Sequence, residues 1–470
     1  MIFQKFEDLE LTNIPVIIFG SGPAGITTAL ELEKKKISSI IIEAGKENFS
    51  SNSQDFYKGK IIGDNLTDLS SSRLRQLGGT SGHWGGWCKP IESYNLENWP
   101  LKKNELDQYA KETCSILNIK NKFEVASLNN YFNQIEFQYS KIRFADKYKD
   151  YLKKSKNIHL MLNCQLSHFE GSDGIIQNAV CINQNSKKKI KSKYYILACG
   201  GIENSRILLW TREKNKNLIN ENLPIGQYWM NHPWIISGIG VINKKKLKSK
   251  MGNKFINYDG PLHFASKKKL LNDKKILSAA IYLNAKEDTK FYKEIIKDIL
   301  CVAPEYGKKI ARKIFSKDLK CGNIFMNLEE PPNKNNKIVL DKIEKDKFNI
   351  PRINLYYKKS KESLYTAKAF LEEFANLCKD QDLGRIAIQD NIYNLDSFEN
   401  MGGYHHLGGT RMGTNKSISV VNPDLKVHDI SNLFVNGSSS FPTSGYTNPT
   451  YTIVQLSLRL ANNVASKLVL

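Results

Sequence analysis

The sequence lacks the features that mark several classes of protein. Its eight cysteines include no C-x-x-C pair, so neither a zinc nor a dithiol motif is written in it, and we predict no metal site. No run of 18 apolar residues occurs, and the first residues include acids where a signal peptide needs a basic start. We therefore expect a cytoplasmic protein with reduced thiols and no transmembrane segment.

Arginine is also scarce, although the chain is strongly basic. Only ten of the 69 basic residues are arginine, and the formal charge of +22 comes mainly from lysines in short, dispersed clusters. Recognition of nucleic acids relies on arginine for bidentate contacts with bases and phosphates. A lysine-coated surface is therefore favoured, and a non-enzymatic basic protein that binds nucleic acid is kept only as a remote alternative.

The clearest motif lies near the N-terminus. An apolar run at 14–19 predicts a buried parallel strand, and Gly20-Ser21-Gly22-Pro23-Ala24-Gly25 follows it directly. A helical pattern and a second apolar strand at 40–42 then lead into Glu43-Ala44-Gly45. Glycines of this spacing let a pyrophosphate approach the backbone at a helix N-terminus, and the acid can bind a ribose hydroxyl. The pattern predicts dinucleotide binding, without a choice between FAD and NAD.

Two further glycine-rich segments follow. The first, Gly78-Gly79-Thr80-Ser81-Gly82-His83-Trp84-Gly85, has too many glycines for regular structure and predicts a loop against a large flat ligand. A surface loop with buried tryptophans is the alternative. The second segment is an apolar strand from 194, a turn at Gly200 and a helix start, as expected for a later strand of the nucleotide sheet. Residues 158–185 alternate in the manner of antiparallel strands.

The C-terminal part contains the reactive groups. His405 and His406 are adjacent in a glycine-rich segment, and in an extended chain their side chains would point to opposite faces. A histidine at a ligand surface suits acid–base chemistry because its pKa lies near neutrality. Downstream, a strand ends at Asn436-Gly437, and Asn448-Pro449-Thr450 opens a helix. The N-terminus of that helix could face an anionic reduced flavin.

The order of these motifs resembles that of the glucose–methanol–choline (GMC) oxidoreductases, FAD enzymes that oxidise alcohols. The resemblance extends over most of the chain and includes Asn231-His232-Pro233 and Glu330-Pro331-Pro332-Asn333. Within the family, the segments around His83 and His406 look most like those of pyranose oxidases and related sugar oxidoreductases.

The resemblance implies roles for single residues. His406, four positions before Thr410, matches the active-site histidine, with His405 facing away, and Asn448 matches the second active-site position. It implies that His406 takes the hydroxyl proton while carbon delivers a hydride to flavin N5. His83 matches a position at which some members attach FAD covalently and others do not, so both arrangements are open.

The motifs and the resemblance together give a set of residues expected to bind FAD. These are Gly20, Gly22, Pro23, Ala24, Gly25, Glu43, Ala44, Gly45, Gly78, Gly79, Thr80, His83, Trp84, Gly85, Gly200, Asn436, Gly437, Asn448, Pro449 and Thr450.

We predict an α/β fold in which a Rossmann-like FAD-binding domain is interleaved with an α+β substrate domain containing an antiparallel sheet. The FAD-binding domain is expected at 1–90, 155–230 and 401–470, the last holding both active-site positions. The substrate domain is expected at 91–154 and 231–400.

The leading hypothesis is an FAD-dependent oxidoreductase that acts on the CH–OH group of a sugar or polyol. Its electron acceptor could be O2, a quinone or a redox protein, because Gly85-Gly86 stands where related oxidases have side chains near the flavin. A flavoprotein with another redox reaction, such as hydroxylation or desaturation, is the alternative. It would leave His406 and Asn448 without a role.

Overall fold

Two large β-sheets, one parallel and one antiparallel, organise the chain. The structure is a computed structural model, and it describes residues 2–6, 14–184, 186–251, 261–284, 319–394 and 404–469.

The described strands, numbered in chain order, are β1 Ile2–Phe3, β2 Val16–Phe19, β3 Ser39–Ile42, β4 Gly59–Gly63, β5 Trp87–Cys88, β6 Val125–Ser127, β7 Phe132–Ile135, β8 Gln138–Tyr139, β9 Ile158–Met161, β10 Cys164–Ser172, β11 Ile175–Asn183, β12 Ser186–Ile190, β13 Tyr194–Leu197, β14 Trp234–Asn243, β15 Leu262–Ser266, β16 Ala279–Asn284, β17 Leu319–Leu328, β18 Lys337–Lys345, β19 Pro351–Tyr357, β20 Gly384–Ile388 and β21 Leu433–Val435. The described α-helices are α1 Pro23–Lys34, α2 Ser51–Gln54, α3 Lys103–Asp107, α4 Ala110–Leu117, α5 Phe144–Lys154, α6 Gly200–Lys214, α7 Lys244–Met251, α8 Lys268–Lys274, α9 Lys361–Asp380 and α10 Thr450–Val469.

The first sheet has six parallel strands in the order β1-β9-β3-β2-β13-β21. Its central strands β2 and β3 are buried along their whole length, as expected for parallel strands covered on both faces. The Nδ2 atom of Asn436, just after β21, donates to Thr28 Oγ1 and Ser457 Oγ and thereby ties α1 and α10 to the sheet. The predicted nucleotide-binding architecture is confirmed.

The second sheet has seven antiparallel strands in the order β20-β14-β17-β16-β15-β7-β6. Helix α9 covers one face of it, where Phe370 and Phe374 make edge-on ring contacts with Phe132 at centroid distances of 5.0 and 5.3 Å. Alternate residues of the strands enter this apolar layer, as a sheet with one covered face requires. The predicted antiparallel sheet is confirmed.

A small third sheet connects distant parts of the chain. Strand β19 pairs in parallel with β4 and antiparallel with β18. Ile338, Ile353 and Leu355 pack into the same apolar core as the parallel sheet. The division into two interleaved domains stays a proposal. It assigns β18 and β19 to the substrate-domain segment 231–400, but in the structure these strands pack with the parallel sheet.

Within the described ranges, no helix combines the length and the apolar character needed to cross a lipid bilayer.

Candidate active site

A cavity of about 430 Å³ opens at the carboxyl ends of the parallel strands. This edge is where ligands bind in open α/β sheets, because the loops that follow the strands diverge there. Each glycine-rich segment predicted to bind the cofactor, and the segment that opens the last helix, contributes to its wall. The predicted residues that line it are Gly20, Gly22, Pro23, Ala24, Glu43, Ala44, Gly79, Thr80, His83, Trp84, Gly85, Gly200, His406, Gly437, Asn448, Pro449 and Thr450.

Four predicted cofactor residues lie behind this wall instead. A Cβ atom on Gly25 would lie 1.9 Å from the carbonyl oxygen of Gly20, and one on Gly45 would lie 2.2 Å from that of Arg75. Gly78 has a φ of +80° and approaches the backbone of Ala145. Asn436 is fully buried between helices. These residues shape the segments that line the cavity and do not line it themselves.

The wall fits a dinucleotide. A Cβ atom on Gly22, Gly200 or Gly437 would meet nothing within 4 Å, so each glycine leaves bare backbone and free space where it lines the cavity. The N-termini of α1, α6 and α10 all reach this wall. Their unpaired N–H groups and helix dipoles favour negative charge, which a diphosphate supplies.

Glu43 is fixed by the turn that it faces. Its Oε2 atom accepts from the Ser21 backbone N–H at 2.9 Å and from the Ser21 hydroxyl at 2.7 Å, and its Oε1 atom accepts from the Gly45 N–H at 2.7 Å. A carboxylate can accept about four hydrogen bonds, and Glu43 accepts three here. It can therefore accept one more from a ribose hydroxyl.

The glycine-rich loop after Gly78 also lies against the cavity. Residues Gly79–Gly82 form a short 3₁₀ turn, and Trp84 is held in place by a bond from its Nε1 atom to the Ile142 carbonyl at 2.8 Å. His83 also lines the cavity. Partial burial, followed by the charge of Arg143, lowers the pKa of His83. The loop is therefore part of the cavity wall, as the ligand-loop interpretation predicts.

The two adjacent histidines differ from the prediction in one respect. His405 does not face away, because residues 404–406 are not in a strand, both histidines line the same cavity, and the His405 ring contacts Asn448, which also lines it. The Nε2 atom of His405 lies 3.4 Å from Asn448 Nδ2. The Nε2 atom of His406 instead lies 2.9 Å from Ser72 Oγ, and its Nδ1 atom is buried without a partner. The active-site role of His406 stays a prediction, while the contact with Asn448 is made by His405.

Both histidines are neutral at ordinary pH. Burial, followed by the charges of His232 and His406, holds the pKa of His405 well below its usual range. Burial and the charge of Arg73 lower the pKa of His406 to about 3. A neutral imidazole has one unprotonated nitrogen, so either ring could accept a proton from a bound alcohol.

The structure adds a cluster of buried charges that no sequence motif predicts. Glu203 accepts from Arg73 Nη1 at 2.9 Å and from Arg206 Nη1 at 3.2 Å, and Arg206 Nη2 binds Asp346 at 2.7 Å. Burial alone would raise the pKa of Glu203, but Arg206 and Arg73 outweigh it and lower that pKa. These charges are mutually paired, so they form a fixed wall rather than an anion site. No periodicity marks them in the sequence.

Among the residues that the structure describes, no group of three or more His, Cys, Asp or Glu side chains could hold a metal ion.

Comparison with known proteins gives a consistent relationship. Residues 332–457 match a family model described as GMC oxidoreductase. The chain is 26% identical to the fructose dehydrogenase large subunit of Gluconobacter japonicus over 285 residues, which are 60% of this chain and 48% of that protein. It is 42% identical to the pyranose 2-oxidase of Tricholoma matsutake over 64 residues, 14% of this chain and 11% of that one. The chain thus spans about half the length of the first curated relative. Its match to the second covers only 11% of that protein.

The fold has solved counterparts. Pyridoxine 4-oxidase from Mesorbium loti superposes with a TM-score of 0.61 at 12% identity, covering 96% of this chain and 99% of that chain. At such low identity this likeness concerns the fold alone. The match over 332–457, together with the motif order, shows that this part of the chain is similar to the GMC oxidoreductases.

Proposed function

We propose that the protein is an FAD-dependent oxidoreductase that oxidises a C–OH group of a small molecule, with a sugar or another polyol as the substrate class. The supporting observation is the approach of His405 to Asn448 in the wall of a cavity that the segments predicted to bind a dinucleotide also line. The names of the relatives, fructose dehydrogenase and pyranose 2-oxidase, also favour sugars.

The residues that would hold FAD follow from the cavity wall. The start of α1 would bind the diphosphate, Glu43 the adenosine ribose, and the start of α10 at Asn448-Pro449-Thr450 the flavin ring. When bound, FAD supplies the hydride acceptor, flavin N5. The glycine-rich loop with His83 and Trp84 would cover the ring.

The chain itself would manage the proton and the oxygen. A neutral His405 accepts the hydroxyl proton at Nε2 once the substrate hydroxyl has replaced the 3.4 Å contact from Asn448 Nδ2, and the N–H groups of Asn448 Nδ2 then hold the substrate oxygen. Negative charge that develops on this oxygen is then stabilised by a fixed donor. The sequence-based assignment of the proton acceptor to His406 is the competing proposal, since that residue lines the same cavity.

The proposal extends to a covalent bond between FAD and His83, which lines the cavity. Flavin colour that stays with acid-precipitated protein supports this bond, whereas release of the flavin rejects it without affecting the proposal of alcohol oxidation. The electron acceptor, whether O2, a quinone or a redox protein, is the second reactant to be assigned by assay.

Anaerobic flavin reduction tests the function. Protein purified without denaturant should show a flavin absorption band, and this band should bleach when an aldose, ketose or polyol of a test panel is added without O2. A protein without the band, or a flavin that dithionite reduces but no alcohol of the panel reduces, contradicts the proposal.

A further inference from the structure

His232 lies directly behind His405 and takes no part in the proposed chemistry so far. It is buried, and its Nδ1 atom lies 3.0 Å from His405 Nδ1, with the two rings nearly perpendicular at 86°. Its other nitrogen, Nε2, lies 3.0 Å from the backbone carbonyl oxygen of Ser444. The three groups form a chain of hydrogen bonds whose direction can be worked out.

The direction is set at the Ser444 end. A carbonyl oxygen can only accept, so His232 Nε2 must carry the hydrogen of that bond. Burial lowers the pKa of His232 to about 4, so at neutral pH the ring has a single N–H hydrogen. Its Nδ1 atom therefore has a lone pair and acts as an acceptor.

The same reasoning fixes His405. Two ring nitrogens 3.0 Å apart share one hydrogen, and since His232 Nδ1 accepts, His405 Nδ1 donates. A neutral His405 then has its lone pair on Nε2, the atom that faces the amide nitrogen of Asn448 at 3.4 Å. The Nδ2 atom of Asn448 is a donor, so the last contact agrees with the direction of the first two.

The position of His232 is itself secured. Its backbone N–H donates to Asn231 Oδ1 at 2.9 Å, and the Asn231 backbone N–H donates to the buried Glu330 Oε2 at 2.6 Å. Glu330 and Ser444 also exchange hydrogen bonds between backbone and hydroxyl groups, at 2.9 and 3.1 Å. Ser444, whose carbonyl oxygen accepts from the ring Nε2–H of His232, is thus part of a connected network. This network restricts movement of the ring.

We propose that His232 is a positioning residue that holds His405 as the tautomer with hydrogen on Nδ1, so that the lone pair of His405 Nε2 faces Asn448 and the substrate hydroxyl. This inference rests on the proposed function for its catalytic meaning. Without His232, both tautomers of His405 become accessible, and the one with hydrogen on Nε2 cannot accept a proton there. His232 also accepts from His405 Nδ1 after the proton arrives, so the ring keeps its orientation through the step.

Two substitutions separate hydrogen bonding from packing. His232→Leu keeps an apolar side chain in the buried position but removes the acceptor. His232→Gln keeps a donor and an acceptor in this position. Its amide nitrogen can donate to the Ser444 carbonyl while its amide oxygen accepts from His405. His263→Leu is the control, since His263 is also buried, with its pKa lowered to about 3 by burial, and does not line the cavity.

The test has two readouts on the flavin-bound protein. With ¹⁵N-labelled histidine, the ring signals of His405, assigned by their loss in His405→Asn, should show a protonated Nδ1 and an unprotonated Nε2 at neutral pH. His232→Leu should mix the two tautomers, and His232→Gln should keep the native one. The rate of anaerobic flavin reduction should fall about 100-fold or more in His232→Leu and return to within about tenfold in His232→Gln.

Native tautomer signals of His405 in His232→Leu overturn the inference, as does equal slowing in the Leu and Gln variants. His263→Leu should leave both readouts unchanged, and a tautomer change in this control also counts against a specific role for His232. The nitrogen signals do not depend on a substrate. A protein in which no alcohol reduces the flavin but the tautomer still responds to His232→Leu refutes the proposed function and keeps the positioning role.

Discussion

The side chains of His405 and Asn448 meet in the cavity, with His405 Nε2 lying 3.4 Å from Asn448 Nδ2, although 43 positions separate them in the chain. His406, which the sequence resemblance favours as the proton acceptor, is instead held by Ser72 at 2.9 Å. The tertiary structure therefore presents two adjacent histidines with different surroundings, and substitutions can tell their roles apart.

Substitution of each histidine by asparagine should give unequal effects. His405→Asn removes the nitrogen that faces Asn448, and we expect the rate of anaerobic flavin reduction by the substrate to fall by about 10²–10⁴-fold. His406→Asn should reduce it less than about tenfold, with flavin still bound in both variants. His428→Asn is the control, because the His428 ring contacts Ser419 and the Gly413 backbone and does not line the cavity. The opposite order of effects would restore His406 as the proton acceptor.

Flavin reduction should depend little on pH near neutrality. Since burial holds the pKa of His405 well below its usual range, the neutral ring persists as the pH falls through 6.5. The rate constant for reduction should therefore be flat from about pH 6 to 8 and decline only at more acidic pH. Stopped-flow measurements across this range check the expectation, and a half-maximal rate near pH 6.5 would contradict it.

Folding stability should decrease with acid below pH 6.5. His232, His406 and His263 have folded-state pKa values lowered by burial to about 4, 3 and 3, while the unfolded chain titrates near 6.5. The unfolded state then binds more protons between these values. Their contribution is fully present above pH 6.5 and is lost as the pH falls, by up to about 1.4 kcal/mol per pH unit for each ring.

Urea unfolding of the wild type and of His263→Leu at several pH values between 7 and 4.5 measures this loss. The variant should show a shallower dependence of the free energy of unfolding on pH, because one buried neutral ring is gone. Identical slopes would mean that His263 binds the same number of protons in the folded and unfolded states, which contradicts this prediction.

Two glycines of the first turn should respond differently to alanine. Gly22 has a φ of −72°, and its added Cβ would meet only cavity space, so Gly22→Ala should leave the free energy of unfolding of the apoprotein unchanged. It should weaken FAD binding by about tenfold or more, because backbone can no longer approach the diphosphate. Fluorescence titration of apoprotein with FAD measures this.

Gly25→Ala is the matched control. Its Cβ would lie 1.9 Å from the Gly20 carbonyl oxygen, so this variant should lower the free energy of unfolding by about 1–3 kcal/mol. A lower free energy of unfolding in Gly22→Ala, or an unchanged affinity of this variant for FAD, would contradict a role of Gly22 in binding the diphosphate.

Local sequence patterns determined much of this molecule. The buried apolar runs before Gly20 and Glu43 specified two neighbouring parallel strands, observed as Val16–Phe19 and Ser39–Ile42, because parallel strands covered on both faces must be apolar throughout. The spacing of the glycines predicted which segments line the cavity, because a residue without a side chain lets the backbone approach a ligand closely.

Pairings between remote segments were decided only by the tertiary structure. The region 158–185 alternates as antiparallel strands, yet Ile158–Met161 joins the parallel sheet beside Ser39–Ile42, because strand direction depends on the neighbour and not on the residues themselves. The orientation of the His405 ring was also decided by the tertiary structure. Adjacent side chains point to opposite faces only in an extended strand, and residues 404–406 do not form one. His232, 173 positions away from His405, became visible only when folding brought their Nδ1 atoms to 3.0 Å, since a hydrogen bond requires distance and angle that sequence spacing does not encode.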